Sequence, residues 1–243
     1  MVETLSKNKI KWIKSLHLKK HRDAEGVFIV EGDKMVSELI EHWSHYIEFI
    51  CTSDQSIQFN GMVYQTDDKT IKEIGSLTTP NKILAVVKKP NVPVGETKLV
   101  LALDGIQDPG NFGTIVRTSD WFGVDLIVCS KGTVDMLNPK VVQSSMGSLF
   151  RVPIIYTDLP SFLSNSNLPI YGALLEGENV YSKSLPENAI IVMGNEGAGI
   201  SAGIQKLIQH KIHIPRFGGA ESLNVAIATG ILLSEFRSSI KKL

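Results

Sequence analysis

From residue 99 onward the chain repeats one pattern: a short apolar run, a loop, then a stretch of helical character. The runs are LVLAL (99–103), DLIVC (125–129), VPIIY (152–156), IYGALL (170–175), AIIVM (189–193) and KIHI (211–214). Strands that are apolar on both faces must be covered on both faces, which is the situation of a parallel sheet sandwiched by helices. Helices predicted around 114–122, 139–146, 159–163, after Ser201 and over 223–238 supply that cover. The fold class is therefore α/β, with a parallel sheet in the C-terminal part.

Ahead of it lies a second, smaller α/β pattern. Strands are expected at VFIV (27–30), YIEFIC (46–51), MVYQT (62–66) and ILAVV (83–87), with helices over 34–43 and 67–74. The stretch KKPNVPVGETK (88–98) has two prolines, a glycine and no periodicity, so it reads as a linker. We expect two domains, 1–90 and 96–243. At the N-terminus, Ile10, Ile13 and Leu16 recur at helical spacing among lysines, which predicts an amphipathic helix over 10–18 with a basic outer face.

The formal net charge is zero, with 25 basic and 25 acidic residues, but it is unevenly spread. Residues 1–22 hold seven basic side chains (Lys7, Lys9, Lys11, Lys14, Lys19, Lys20, Arg22) against Glu3 alone, so this segment is +6 and the rest −6. A neutral total thus leaves a polyanionic partner open. No apolar run approaches the roughly 18 residues of a membrane span, and no apolar stretch follows the first charges. The two cysteines, Cys51 and Cys129, are isolated and suggest neither a disulfide nor a thiolate metal site. A cytoplasmic protein is expected. The pairs His42/His45 and His210/His213 lack nearby acidic or thiolate ligands, so they read as structural residues and no metal is expected.

Ligands of open α/β sheets sit beyond the carboxyl ends of the strands, which directs attention to three loops. The first, DGIQDPGNFGTIVRTSD, gathers Asp104, Asp108, Gly110, Asn111 and Gly113 before the helix predicted from Thr114, with Arg117 one turn in. Read as plain structure, Asn111 is an N-cap and Arg117 is solvated. An arginine in a first turn opposes the helix dipole, however, so an anionic ligand is the alternative. The second, MGNEGAGIS, holds Gly194, Gly197 and Gly199 around Glu196. Its G-x-x-G-x-G spacing differs from the dinucleotide fingerprint, which argues against a nicotinamide enzyme. In the third, IPRFGGAESLNVAIATGILLSEF, Ser222 and Asn224 can both cap the last helix, and capping accounts for one of them. Ala226, Ala228 and Gly230 make that helix narrow, as close packing in a core or at a subunit interface requires.

In order, spacing and wording these three motifs resemble the SpoU/TrmH-type RNA ribose methyltransferases of the SPOUT superfamily, over roughly residues 99–240. The stretch FIVEGDKMVSELI is similar to the ribosomal-protein-like α/β domain that many members use to grip RNA. The resemblance implies a C-terminal SPOUT domain with a trefoil knot, preceded by that small RNA-binding domain. It further implies S-adenosylmethionine held by Gly194, Asn195, Gly197, Ile214 and Leu223, with Leu174 at the adenine. The reaction implied is attack of a ribose 2′-hydroxyl on the sulfonium methyl.

By the same resemblance Arg117 binds the substrate phosphate and activates the hydroxyl. A guanidinium is a poor free base, so activation can run through the neighbouring phosphate. Asn111 is expected to order its loop and Arg117, while Glu196, Ser222 and Asn224 complete the site. For Glu196 a carboxylate that holds loop backbone donors and a direct catalytic part both stay open. Homodimers are implied. The sizeable N-terminal domain favours ribosomal RNA over transfer RNA, and a non-catalytic RNA-binding protein that keeps the fold remains as the alternative. The chain departs from the family pattern at Arg216, Phe217 and Ala226, where many members carry Met, a small residue and Ser.

Overall fold

The structure, a computed structural model, describes residues 2–77 and 81–238. It divides into two compact units, Met1–Asn91 with Asp135–Phe150, and Val92–Val134 with Arg151–Leu243.

In the first unit the chain runs β1 (Val2–Thr4), α1 (Lys7–Ser15), α2 (Lys19–Glu25), β2 (Val27–Glu31), α3 (Asp33–His42), β3 (Ile47–Thr52), β4 (Val63–Gln65), α4 (Asp68–Ile74) and β5 (Ile83–Lys88). The five strands form a mixed sheet in the order β1-β4-β3-β5-β2, with β5 antiparallel to both neighbours. Strand β1 and the separate helix α2 carried no signal in the sequence. Ser6 caps α1 by accepting from the Lys9 N–H at 3.2 Å, which starts the helix three residues before its first apolar position. Ile13 and Leu16 are fully buried in a core with Ile29, Phe49, Leu84 and Val86.

The basic N-terminal segment is less of a free cationic surface than its sequence suggests. Arg22 is only 3% exposed. Its guanidinium donates to the carbonyls of Leu16 and His17 at 2.9 and 2.8 Å and pairs with Asp135 at 2.7 Å. Lys14 pairs with Glu73 and Lys19 with Asp23. The Lys9 ammonium sits over the rings of Phe49 and Trp12 at 4.2 and 4.6 Å. Lys7, Lys11 and Lys20 remain exposed, with no hydrogen bond or ion pair to any described residue.

Asp135 belongs to a stretch that returns to this unit from the C-terminal half of the sequence. There α6 (Pro139–Ser145) packs on β2, and Phe150 stacks on Phe28 and Trp43 with ring centroids 6.1 and 5.3 Å apart.

The second unit contains β6 (Leu99–Asp104), α5 (Pro109–Trp121), β7 (Leu126–Ser130), β8 (Ile154–Thr157), α7 (Leu159–Ser164), β9 (Ile170–Asn179), β10 (Ala189–Gly194), α8 (Ala202–Gln205), β11 (His210–His213) and α9 (Val225–Ser238). Its six strands are parallel throughout, in the order β11-β9-β10-β6-β7-β8. Strands β6, β7 and β10 are buried along almost their whole length, as their unbroken apolar runs require. The chain progresses from β6 outward to β8, then crosses to the other side and inserts β10 beside β6. Their register brings Gly194 opposite Asp104, so the loops that leave these two strands emerge side by side. This reversal of strand order is where open α/β sheets form their ligand crevice.

The histidine pairs are spent on local contacts. His210 stacks on Tyr171 at 4.6 Å, and His213 Nδ1 meets the Gly177 carbonyl oxygen at 2.8 Å. His42 and His45 lie against Trp43 and Tyr46. Both cysteines are buried and free, and burial pushes the Cys51 thiol up to about 12. Among the described residues no group of three or more His, Cys, Asp or Glu is arranged to hold a metal, and no helix is long and apolar enough to cross a membrane.

Removing one partner of a buried ion pair leaves an uncompensated charge, at a cost of about 3–5 kcal/mol. Asp135→Ala is accordingly expected to lower unfolding stability by that amount in urea titration. The paired change Arg22→Met with Asp135→Leu should recover only part of the loss, because the Leu16 and His17 carbonyls then lack their donor.

Candidate active site

The first chemistry-bearing loop folds differently from its sequence reading. Helix α5 begins at Pro109, five residues earlier than predicted, because Asp108 caps it by accepting from the Asn111 N–H at 2.8 Å and proline suits the first helical turn. Asn111 is therefore not the cap but lies within the first turn. Arg117 becomes the ninth residue of the helix, more than two turns in, where the end dipole no longer acts. The dipole argument for an anion at Arg117 fails with it. Arg117 is nevertheless exposed and makes no hydrogen bond or ion pair with any described residue.

Freed from capping, the Asn111 side chain joins the three loops. Its Nδ2 donates to Glu196 Oε1 at 3.1 Å, and its Oδ1 accepts from Asn224 Nδ2 at 2.8 Å. Asn224 in turn caps α9, with Oδ1 accepting from the Ala226 and Ile227 N–H groups at 2.9 and 3.3 Å. Ser222 makes no such bond, so one of the two candidate caps does the capping. Glu196 also accepts from the backbone N–H of Gln107 and Asp108, both at 3.2 Å. Partial burial pushes its pKa up, but the Asn111 amide and these backbone donors outweigh that, and the net shift is downward. Of the two roles left open for Glu196, the carboxylate's lone pairs are here spent on loop donors.

Behind it, Asn195 builds its own turn. Its Oδ1 accepts from the N–H of Gly197 and Ala198 at 3.0 and 2.9 Å, while Nδ2 donates to the Gly105 carbonyl at 2.7 Å. The backbone returns so close to β10 that a Cβ on Gly194 would lie 2.2 Å from the carbonyl carbon of Gly199. Only glycine fits there. Gly199 itself has φ +69°, which again favours glycine.

Between this loop and the 214–224 segment opens a cleft of about 470 Å³, within the usual range for ligand pockets. Leu174, Gly194, Asn195, Glu196, Gly197, Ile214, Ser222 and Leu223 all line it. Asn111, Asn224 and Arg117 do not; the first two reach its wall through Glu196. Arg117, six residues after Asn111, lies about 240° around the helix from it. No hydrogen bond joins the two, so the expected ordering of Arg117 by Asn111 has no direct counterpart in this structure.

The sequence reading missed Met193, Ile212, His213, Arg216, Phe217 and Glu221, which also line the cleft. Most are ordinary strand or loop residues with no pattern of their own. The lining carries two carboxylates, Glu196 and Glu221, and one guanidinium, Arg216, a balance suited to a ligand that carries positive charge.

The second unit and the sheet before it both have known counterparts. The SpoU rRNA Methylase family matches residues 98–234, and the MRM3-like substrate binding domain matches residues 7–85. The chain is 32% identical to the 23S rRNA (guanosine(2553)-2′-O)-methyltransferase RlmP of Bacillus subtilis (strain 168), over 97% of this chain and 98% of that one. Among solved structures it resembles a TrmH-family protein from Porphyromonas gingivalis, at TM-score 0.84 and 39% identity over 97% of this chain and 99% of the other. It also resembles the AdoMet-bound rRNA methyltransferase from Sinorhizobium meliloti, at TM-score 0.85 and 28% identity over 100% and 99% of the two chains. A match over more than half of the 243 residues, joined to full-length similarity, makes this chain a member of the SpoU rRNA methylase family.

Proposed function

We propose that the protein is an S-adenosylmethionine-dependent methyltransferase that methylates a ribose 2′-hydroxyl of ribosomal RNA. The observation that carries the reading is the cleft at the β10 end, tied through Glu196, Asn111 and Asn224 to the starts of α5 and α9. The residues present fit the donor. Gly194 lets the Gly199 backbone close in and shape the cleft, Leu174, Ile214 and Leu223 offer apolar walls for an adenine, and the carboxylates balance a sulfonium and an ammonium. Bound there, S-adenosylmethionine supplies an electrophilic methyl group, so the protein's task is positioning and proton removal.

Arg117 is our choice for the residue that grips the phosphate beside the target ribose and orients it so that a phosphate oxygen takes the hydroxyl proton. Its guanidinium, exposed and without a partner among the described residues, supports that role. Asn111 and Glu196 act as positioning residues that hold the loop before α5 against the cleft. Ser222, on the cleft wall, has its hydroxyl available to the substrate.

We further propose a cytoplasmic homodimer built on the α5–α9 face. Thr114, Thr118, Ala226, Ile227, Gly230 and Ile231 line a shallow depression there, with Ile227 exposed and Trp121 85% exposed on α5. Gly230 lets the two helices close up: a Cβ on it would meet Thr118 Cγ2 at 3.6 Å. Family membership also supports a trefoil knot in this unit. The domain division we adopt is 1–90 for RNA binding and 96–243 for methyl transfer.

Transfer of tritium from labelled S-adenosylmethionine to ribosomal RNA tests the reaction, and no label in RNA from a protein that binds the cofactor would defeat it. In that assay Arg117→Ala should lose activity by roughly 10²–10³-fold. Its melting temperature and cofactor affinity should stay unchanged, since the side chain holds nothing in the fold. Replacing Lys7, Lys11 and Lys20 together by Gln should weaken RNA binding and lower the slope of log K against log salt by about two units, at roughly 0.7–0.9 per phosphate contact. An unaltered slope would mean that these lysines face only solvent.

A further inference from the structure

Phe217 is the most exposed large apolar residue among those described, at 96%, and it stands on the rim of the cleft. Such a ring gains nothing where it is. Isolated exposed apolar side chains are common, so exposure alone decides little. Three further observations single this one out.

The turn that carries the ring is closed from within. Arg216 Nη1 donates to the Ala220 carbonyl at 3.3 Å, across the apex formed by Phe217, Gly218 and Gly219. The guanidinium thus bridges the base of a turn whose tip is the ring. Next, Cβ atoms placed on Gly218 and Gly219 would meet nothing within 4 Å, so no described residue packs against these two positions. Finally, the ring stands at the edge of the cleft assigned to the methyl donor, and a nucleotide that brings its ribose to that cleft brings its base as well. The apolar neighbours on that rim, Leu175 and Leu223, have no π-face; of the other flat groups that line the cleft, the His213 ring meets the Gly177 carbonyl and the Arg216 guanidinium bridges to Ala220, so Phe217 is the one large exposed aromatic ring among the described lining residues.

Resting on the methyltransferase reading, we propose that Phe217 is a nucleobase-stacking residue. It receives an unpaired base of the RNA at or next to the modified nucleotide, on a turn that Arg216 holds in shape. Single-stranded RNA is recognised largely by stacking on aromatic side chains, and such stacking tolerates any base because every base has a π-face. Phe217 therefore contributes grip and orientation more than sequence choice. Arg216 is a positioning residue for it.

The test uses the full-length protein, labelled S-adenosylmethionine and ribosomal RNA, with the cofactor Kd measured separately by calorimetry. Phe217→Ala is expected to raise the KM for RNA by on the order of tenfold, the loss of one base stack. Cofactor Kd should move by less than about twofold. Phe217→Trp should restore the KM, and Phe217→Leu, which keeps apolar bulk without a π-face, should not. An unchanged KM in Phe217→Ala, or full rescue by Leu, overturns the proposal. A cofactor Kd that weakens along with the KM overturns it as well, since the ring would then be a lid over the donor. If the unsubstituted protein labels no RNA while binding the cofactor, the methyltransferase reading falls, and this inference falls with it.

Discussion

The carboxylate of Glu196 is the tie on which the site depends. It accepts from the backbone of Gln107 and Asp108 and from the side chain of Asn111, residues about 85 to 89 positions earlier in the chain. Asn111 passes the connection on to Asn224, another 113 residues away, which caps the final helix. Three loops that the sequence keeps far apart are thereby locked into one wall. Each bond is modest alone, about 0.5–1.5 kcal/mol net and somewhat more to an ion. Their value is geometric, because two helices and a glycine-rich turn lose their freedom relative to one another at once.

That tie works only because the sheet brings β6 and β10 side by side. A parallel sheet whose strand order reverses leaves a crevice at the reversal, and both loops exit into it. The tight return of the backbone at Gly194 then shapes the cleft, and Asn195 fixes the turn with its own side chain. Electrostatics follow from the same arrangement. The lowered pKa of Glu196 keeps its carboxylate ionised across the physiological range; its contribution to stability is present above the ordinary carboxylate pKa and fades as pH falls through the depressed one.

How much of this was legible in the sequence varied with the range of the interaction involved. The central strands could be read because fully buried parallel strands are apolar at every position, as in LVLALD and AIIVMG. The start of α5 was misread because Pro109, Gly110, Asn111 and Gly113 look like loop, although Asp108 followed by proline is an N-terminal signature. The insertion of β10 beside β6, the return of Asp135–Phe150 to the first unit and the burial of Arg22 left no local trace. Each depends on partners more than a hundred residues away or on strand order. The basic N-terminus is the clearest case: its charge is plain in the sequence, yet Arg22, Lys14, Lys19 and Lys9 are engaged within the fold. Truncating residues 1–22 to probe RNA binding would remove Ile13 and Leu16 from the core, so point substitutions are the sounder probe. Among the named site residues, those on the cleft wall came from motif resemblance, whereas the bonds that join them needed coordinates.

This arrangement serves to deliver a methyl group to a ribose of ribosomal RNA. Its most direct test is a map of 2′-O-methylated positions in ribosomal RNA from cells with the gene, without it, and with the gene restored as Arg117→Ala. A discrete ribose is expected to lose its methyl group on deletion and not to regain it with the Arg117→Ala form. An identical methylation map with and without the gene would contradict it.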